Sequence, residues 1–290
     1  MNIFVAVLKL TRSEHSIMLV VAVLAAELIS RGLPVPAVLA LSIASPILIS
    51  AASFAINDYY DVEADRANKR FERPIVAGAV SRKGALRIAV LSALIGIAAA
   101  LFINIQAFLI AVVFAGLAFF YSYRLKDIVL AGNAYIALSM AIPFVFGSYV
   151  VSEALPPSII VIALIVFTAG LAREIHGMIR DKKGDEARKS RNLLRYMSER
   201  NAAVIALVLY AESVLLSIFL FFFVYPFLNN AIYLVPTLVA DAVALSVALG
   251  FLRKKSRGFY DMSRNLSLGA MALVALAYLL ATIWFVPLLG

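Results

Sequence analysis

Apolar residues in this chain do not alternate with polar ones; they come in long uninterrupted blocks. Nine such blocks stand out, at residues 13–30, 36–56, 85–103, 106–121, 131–151, 158–175, 202–224, 232–252 and 266–288. A bilayer core of ~30 Å is crossed by about 20 mostly apolar residues in helical form, so each block has the length of a span. Within the blocks hydrophobicity runs nearly all the way round the helix, as expected where lipid lies on one side and another helix on the other. Small residues recur (Ala51, Ala52 and Ser53; Ala98, Ala99 and Ala100; Ala111 and Ala115), and close helix packing in lipid favours them. The pattern predicts an all-α polytopic membrane protein with nine transmembrane helices. Residues 1–290 form one domain, with no soluble module and no short-period repeat.

Composition narrows the class without changing it. Hydrophobic residues make up 63% and charged residues 15%, against roughly 45–50% apolar in soluble domains even with glycine counted. A soluble domain of 290 residues has too little interior to hide so much apolar surface. Low charge, 14 Gly, 10 Pro and no Cys exclude disordered, collagen-like and disulfide-built chains. The absence of cysteine also excludes thiol catalysis. The first ten residues are too short for a signal sequence and lack a small-residue cleavage site, so no cleavable leader is expected.

The net charge of +9 changes meaning once the cations are placed. Of 26 Lys and Arg, 25 fall at the N-terminus or in the connections after every second predicted helix; only Arg31 lies on the other side. The positive-inside rule then puts the N-terminus and the charged connections in the cytoplasm and the C-terminus outside, in the cell membrane. Gathered on one membrane face among acidic residues, these cations imply a diphosphate on an apolar tail as partner, with the lipid surface a lesser one and no nucleic acid.

Two charged connections carry the candidate chemistry. The first, after the second apolar run, reads Asn57-Asp58-Tyr59-Tyr60-Asp61-Val62-Glu63-Ala64-Asp65. On a helix turning 100° per residue, Asn57, Asp61 and Asp65 lie at about 0°, 40° and 80°, with Asp58 at about 100°. Carboxylates stacked on one face repel one another unless a cation sits among them, and hard cations such as Mg²⁺ take oxygen clusters, commonly shared with substrate phosphates. The second connection, after the sixth run, places Asp181 and Asp185 at i, i+4, with Glu174 nearly in register two turns back. By position, the first four predicted helices and the next four form two similar halves, each ending its second helix in carboxylates, with a ninth helix added. Cations surround both clusters: Arg66, Lys69, Arg70 and Arg73 after the first, and Arg173, Arg180, Lys182 and Lys183 about the second. Tyr121 to Lys126 follows the fourth helix on the same side. Carboxylates for a metal beside guanidinium and ammonium groups for phosphate oxygens make a diphosphate site, and an apolar bundle beneath it suits a hydrocarbon tail.

Simpler readings exist for many of these residues. Charged cytoplasmic connections occur in any multi-span protein, and a single DxxxD arises by chance. Two such clusters at the cytoplasmic ends of helices, each flanked by cations, favour the metal reading. Glu27, Glu212 and Asp241 fall inside apolar runs, where a carboxylate is costly and points to function unless it bonds a neighbouring helix or sits near an interface. Tyr60, Tyr121 and Tyr149 offer ring faces for a cation but also serve as packing, and Trp284 is an interface anchor. His15 and His176 do not form a metal-binding spacing.

These residues resemble the UbiA superfamily of intramembrane prenyltransferases. Asn57, Asp58, Asp61 and Asp65 match its NDxxDxxxD motif, and Asp181 and Asp185 its second, DxxxD. Arg73-Pro74 with Gly78 is similar to the family's Asn-Arg-Pro…Gly segment, with Glu72 where Asn is usual. Tyr121-Ser122 with Lys126 resembles its Tyr-Ser…Lys segment. Arg12 opens a segment similar to Arg-Pro-x-Asn, with Ser13 and His15 replacing Pro and Asn. Arg173-Glu174 before Asp181 resembles the archaeal ether-lipid branch, from which His176-Gly177-Met178 and residues 191–194 depart.

The resemblance implies a Mg²⁺-dependent transfer of a geranylgeranyl group from geranylgeranyl diphosphate to a hydroxyl of geranylgeranylglyceryl phosphate. It makes Asn57, Asp61, Asp181 and Asp185 catalytic through the metal, with Asp58 and Asp65 assisting. Arg66, Arg73, Tyr121, Lys126 and Arg180 then serve the diphosphate, and Arg12 and Arg173 the acceptor's phosphate. Alternatives are an aromatic acceptor such as 4-hydroxybenzoate and, outside the class, a secondary transporter. Transporters place ionisable groups on broken helices near the bilayer midplane, whereas the clusters here lie at one face.

Overall fold

The computed structural model describes residues 2–187, 193–253 and 256–283, with side chains described except at 14 and 183–187. The described residues form ten α-helices: α1 (Ile3–Thr11), α2 (Ser16–Ser30), α3 (Pro36–Ala67), α4 (Arg82–Leu101), α5 (Ile105–Tyr123), α6 (Ala131–Val151), α7 (Pro157–Ala187), α8 (Glu199–Phe223), α9 (Ala231–Arg253) and α10 (Arg257–Ile283). No strand occurs among the described residues. The described parts of the nine apolar runs lie largely on α2 to α10. Eight of these helices, α3 to α10, are long and apolar enough to cross a membrane, while α2 has 15 residues. The first helix, α1, is additional; its nine residues fall below the length that marks a span.

Polar residues fix many of the boundaries. Asn2, Ser81, Asn104 and Ser198 each accept a hydrogen bond from a backbone N–H in the first turn of α1, α4, α5 and α8, where the helix itself offers no acceptor. Asn230 does the same for α9 and also donates to the Ala281 carbonyl of α10 at 3.2 Å. The helix α10 begins at Arg257, well before the apolar run at 266, because backbone hydrogen bonding continues a helix outside the hydrocarbon as readily as inside it. Trp284 lies beyond the described residues.

The chain forms two compact units. One comprises Met1–Val23 and Leu33–Leu125. In it α3 packs on α1, α4 and α5. Small residues let these backbones approach: Ala85, Ala89 and Ala93 along α4, and Ala107, Ala111, Ala115 and Ala118 along α5, are all buried. At Gly96 α3 and α4 approach tightly, since a Cβ there would lie 3.0 Å from both the Ser45 carbonyl oxygen and Ile49 Cγ1. The opposite faces carry exposed Leu91, Leu94, Ile95 and Val113, as helices solvated by lipid do.

The other unit comprises Leu24–Gly32 and Lys126–Gly290. Here α6, α7, α8, α9 and α10 each pack on the next, and α7 also meets α10. Ser30 of α2 hydrogen-bonds Ser148 of α6 at 2.7 Å. Asp241 of α9 accepts a hydrogen bond from Ser217 of α8 at 2.6 Å, and the Tyr233 hydroxyl donates to the Ser217 carbonyl at 2.9 Å. Asp241 thus bonds a neighbouring helix, the simpler of its two readings. Glu27 is fully buried, and Glu212 is exposed on α8.

Length matters most for α3 and α7. At 32 and 31 residues they reach about 48 and 46 Å, against a hydrocarbon core of ~30 Å. Their apolar stretches come first and their acidic stretches last, so each carries its carboxylates on turns that outrun the membrane.

Candidate functional site

The last turns of α3 form the better-defined cluster. Asp58 and Asp65 are almost fully buried, at 3% and 4% exposure, whereas Asn57 and Asp61 are half-buried. Two carboxylates buried this deeply need counter-charges, and the segment after the helix supplies them. Lys69 takes a left-handed conformation (φ 57°), and the Arg70 N–H donates to the Asp65 carbonyl at 3.0 Å. The chain therefore turns back over the helix end. Pro74, Ile75 and Val80 are buried, the last two in the core of this unit, and hold the return, while Gly78 turns the chain at φ 71°.

The folded-back loop aims its guanidinium groups at the carboxylates. Arg73 Nη1 donates to Asp58 Oδ1 at 2.9 Å, and its Nε lies 3.9 Å from Asp65 Oδ2. Arg70 Nη1 donates to Asp65 Oδ1 at 3.2 Å. Arg12, the residue that ends α1, also takes a left-handed conformation (φ 47°) and reaches Asp58 Oδ1 at 3.4 Å. Its guanidinium lies over the Phe54 ring, 4.6 Å from the centroid, and His15 meets the same ring edge-on at 5.3 Å. Arg12, Asp58, Arg73, Asp65 and Arg70 thus form one chain of alternating charge. Arg66, also placed among the phosphate-binding cations by its sequence, points outward at 59% exposure, with Glu63 3.9 Å away.

Aromatic residues border this cluster. Tyr59 and Tyr60 contact each other edge-on at 5.2 Å, Tyr60 meets Tyr123 at 5.9 Å, and Arg82 covers the Tyr59 ring at 4.6 Å. Tyr121 is half-buried near the end of α5. Arg70 is the participant that spacing alone did not single out. Its reach to Asp65 depends on the left-handed turn at Lys69, a non-glycine residue with no sequence signal for that conformation.

The cluster at the end of α7 is more exposed. Arg180 makes a two-pronged bond to Asp181, with Nε to Oδ1 at 2.9 Å and Nη2 to Oδ2 at 2.8 Å, and Asp181 is 53% exposed. Glu174 lies 3.6 Å from Arg173 and accepts a hydrogen bond from Asn133 of α6. Lys182 bonds Glu199 of α8 at 2.8 Å. Asp185 continues the helix, and its side chain lies outside the described residues. Lys126 is half-buried in the turn after α5. His176 belongs to the packing: it stacks on Phe251 of α9 at 3.9 Å and 3°, about 160° round α7 from Glu174.

Among the described residues, no three His, Cys, Asp or Glu side chains gather tightly enough to cage a metal by themselves. The donors nevertheless suit a hard divalent cation that keeps some of its coordination for substrate or water. The observation is Asp58 Oδ2, which is buried and has no hydrogen-bond partner. A buried carboxylate oxygen left this way is costly without a cation or donor beside it.

The chain belongs to the UbiA prenyltransferase family, whose sequence pattern matches residues 18–268. It is 37% identical over 227 residues to the digeranylgeranylglyceryl phosphate synthase of Archaeoglobus fulgidus, a match covering 78% of each chain. Its likeness to the Thermococcus kodakarensis protein of the same name is 31% over 282 residues, covering 97% and 99%. The fold is shared with a solved structure concerned with digeranylgeranylglyceryl phosphate synthase in membranes (TM-score 0.80, 23% identity, 98% and 100% covered). It is also shared with a UbiA homologue from Archaeoglobus fulgidus bound to GPP and Mg²⁺ (TM-score 0.65, 19% identity, 94% and 99% covered). The protein is therefore a multi-pass membrane prenyltransferase.

Proposed function

We propose that this enzyme joins a geranylgeranyl group to a hydroxyl of geranylgeranylglyceryl phosphate, as archaeal digeranylgeranylglyceryl phosphate synthases do. The relatives' shared name supports the acceptor, and the observation that carries the reaction is the carboxylate cluster of α3 set among arginines. In the transfer the allylic C–O bond of geranylgeranyl diphosphate breaks, an ether C–O bond forms, and the acceptor hydroxyl loses its proton.

Asn57, Asp58, Asp61 and Asp65, together with Asp181 and Asp185, are the residues that would hold Mg²⁺. Bound there, the ion supplies positive charge to the diphosphate leaving group. Asp61 and Asn57 lie on the less buried side of the α3 cluster, where donors for a shared cation belong. Arg73 and Arg180 bear directional donors suited to phosphate oxygens, and Tyr121 and Lys126 would add contacts, whereas Arg66, which points outward, would join them only by turning its side chain inward. Arg12 and Arg173 serve the phosphate of the acceptor. The apolar helices exclude water, which would otherwise compete with the hydroxyl for the allylic carbon.

In this reading the whole chain acts as one catalytic domain with nine spans, α2 included. It has two similar halves, an N-terminus in the cytoplasm and a C-terminus outside. Purified protein given labelled geranylgeranyl diphosphate and Mg²⁺ is expected to prenylate geranylgeranylglyceryl phosphate. Product from 4-hydroxybenzoate alone would replace the acceptor by an aromatic one. Asp61→Ala is expected to lower transfer by ~100-fold or more while leaving the elution profile and helicity unchanged, as several kcal/mol of metal-supplied stabilisation is lost. Retained activity would remove Asp61 from the site.

A further inference from the structure

The N-terminal helix α1 is divided lengthwise. Ala6 and Leu10 are fully buried in the core that α3 and α4 share. On the far side Phe4 and Leu8 lie about 40° apart with Val5 beside them, while Ile3, nearer the Leu10 side, is exposed because it opens the helix. These four are 67%, 38%, 42% and 62% exposed. Lys9 is exposed at the edge of the apolar arc. Nine residues span about 14 Å, too short to cross a bilayer. The helix ends in the left-handed turn at Arg12, and the apolar helix α2 begins four residues later.

Water is an unfavourable neighbour for Phe4 and Ile3 at these exposures. A second copy of the chain is a poor one, because four side chains fall well short of the ~800 Å² per partner of a stable interface. An apolar arc edged by a cation, on a short helix continuous with a membrane-embedded bundle, fits the headgroup–acyl boundary of the leaflet. We propose that α1 is an interfacial helix that seats Phe4, Leu8, Val5 and Ile3 in that boundary. Its lipid seat thereby holds Arg12 in place between the Phe54 ring and Asp58. The enzyme's acidic cluster is in this way tied to the membrane surface through a single short helix.

The test uses the full chain in nanodiscs of phosphatidylcholine and phosphatidylglycerol. Trp284 is the only tryptophan, so Phe4→Trp and Leu8→Trp are each made in a Trp284→Phe background. Both probes are expected to emit at short wavelength. They should lose more than about half their intensity to lipids brominated near the headgroup end of the acyl chain, the depth of about 5–10 Å at which interfacial helices lie. Lipids brominated near the terminal methyl should quench far less. Long-wavelength emission quenched by iodide, with no bromolipid effect, would overturn the proposal. Short-wavelength emission indifferent to both bromolipids would also overturn it and assign the face to another protein surface. Two adjacent positions keep the result readable if one variant folds poorly.

Discussion

Arg73 is the residue on which the α3 cluster turns, because it contacts both buried carboxylates. Removing it leaves Asp58 with Arg12 at 3.4 Å and Asp65 with Arg70 at 3.2 Å. Arg73→Ala is expected to destabilise the protein by about 1–3 kcal/mol, the cost of leaving buried charged groups short of a donor. Thermal unfolding in detergent measures this. Transfer should also fall, and Arg73→Lys should recover stability better than transfer, because an ammonium restores charge without the planar fork. Equal recovery of both would make Arg73 a structural counter-ion only. The same logic separates Arg12 from Arg66. Both are arginines in charged connections, yet one is fixed by an aromatic face and a buried carboxylate and the other is solvated.

At the scale of elements, α3 combines two jobs in one continuous helix. Its middle packs through small residues against α4 and α5, and its last turns carry Asn57 to Asp65. Tight packing below therefore sets the orientation of the cluster above. Gly96→Leu is expected to lower stability by about 1–3 kcal/mol, since added side-chain atoms would meet a backbone carbonyl that has nowhere to go. The melting temperature of the purified variant checks this; an unchanged value would mean that α3 and α4 separate freely. The helix α7 follows the same plan less tightly, with Asp181 exposed and paired to its own neighbour Arg180.

For the whole molecule, the distribution of cations makes an orientation that can be tested directly. The chain has no cysteine, so single cysteines report without background. Glu63→Cys is expected to react with an impermeant maleimide only after cells are opened, and Arg31→Cys in intact cells. The reverse pattern would invert the proposed topology. Labelling Arg31 from outside also bears on α2, whose 15 residues must place Arg31 on that side if it spans.

Much of this architecture was legible in the linear order of residues, because lipid imposes a simple rule. A backbone in hydrocarbon must satisfy its own hydrogen bonds, so an apolar run of the right length becomes a helix whatever packs beside it. The eight long helices and the positions of both acidic stretches follow from that rule and from helical spacing. The short helix α1 did not, because nine residues are too few to show a periodicity. Nor did the pairing within the site. Spacing alone puts Asn57, Asp58, Asp61 and Asp65 on one helix face, and it cannot say which is buried or which cation answers it. That is decided by the left-handed turns at Lys69 and Arg12, which return Arg70, Arg73 and Arg12 to α3 across separations that no local periodicity encodes. Charge pairing of this kind depends on where a loop folds back, and only tertiary packing of Ile75 and Val80 fixes that point.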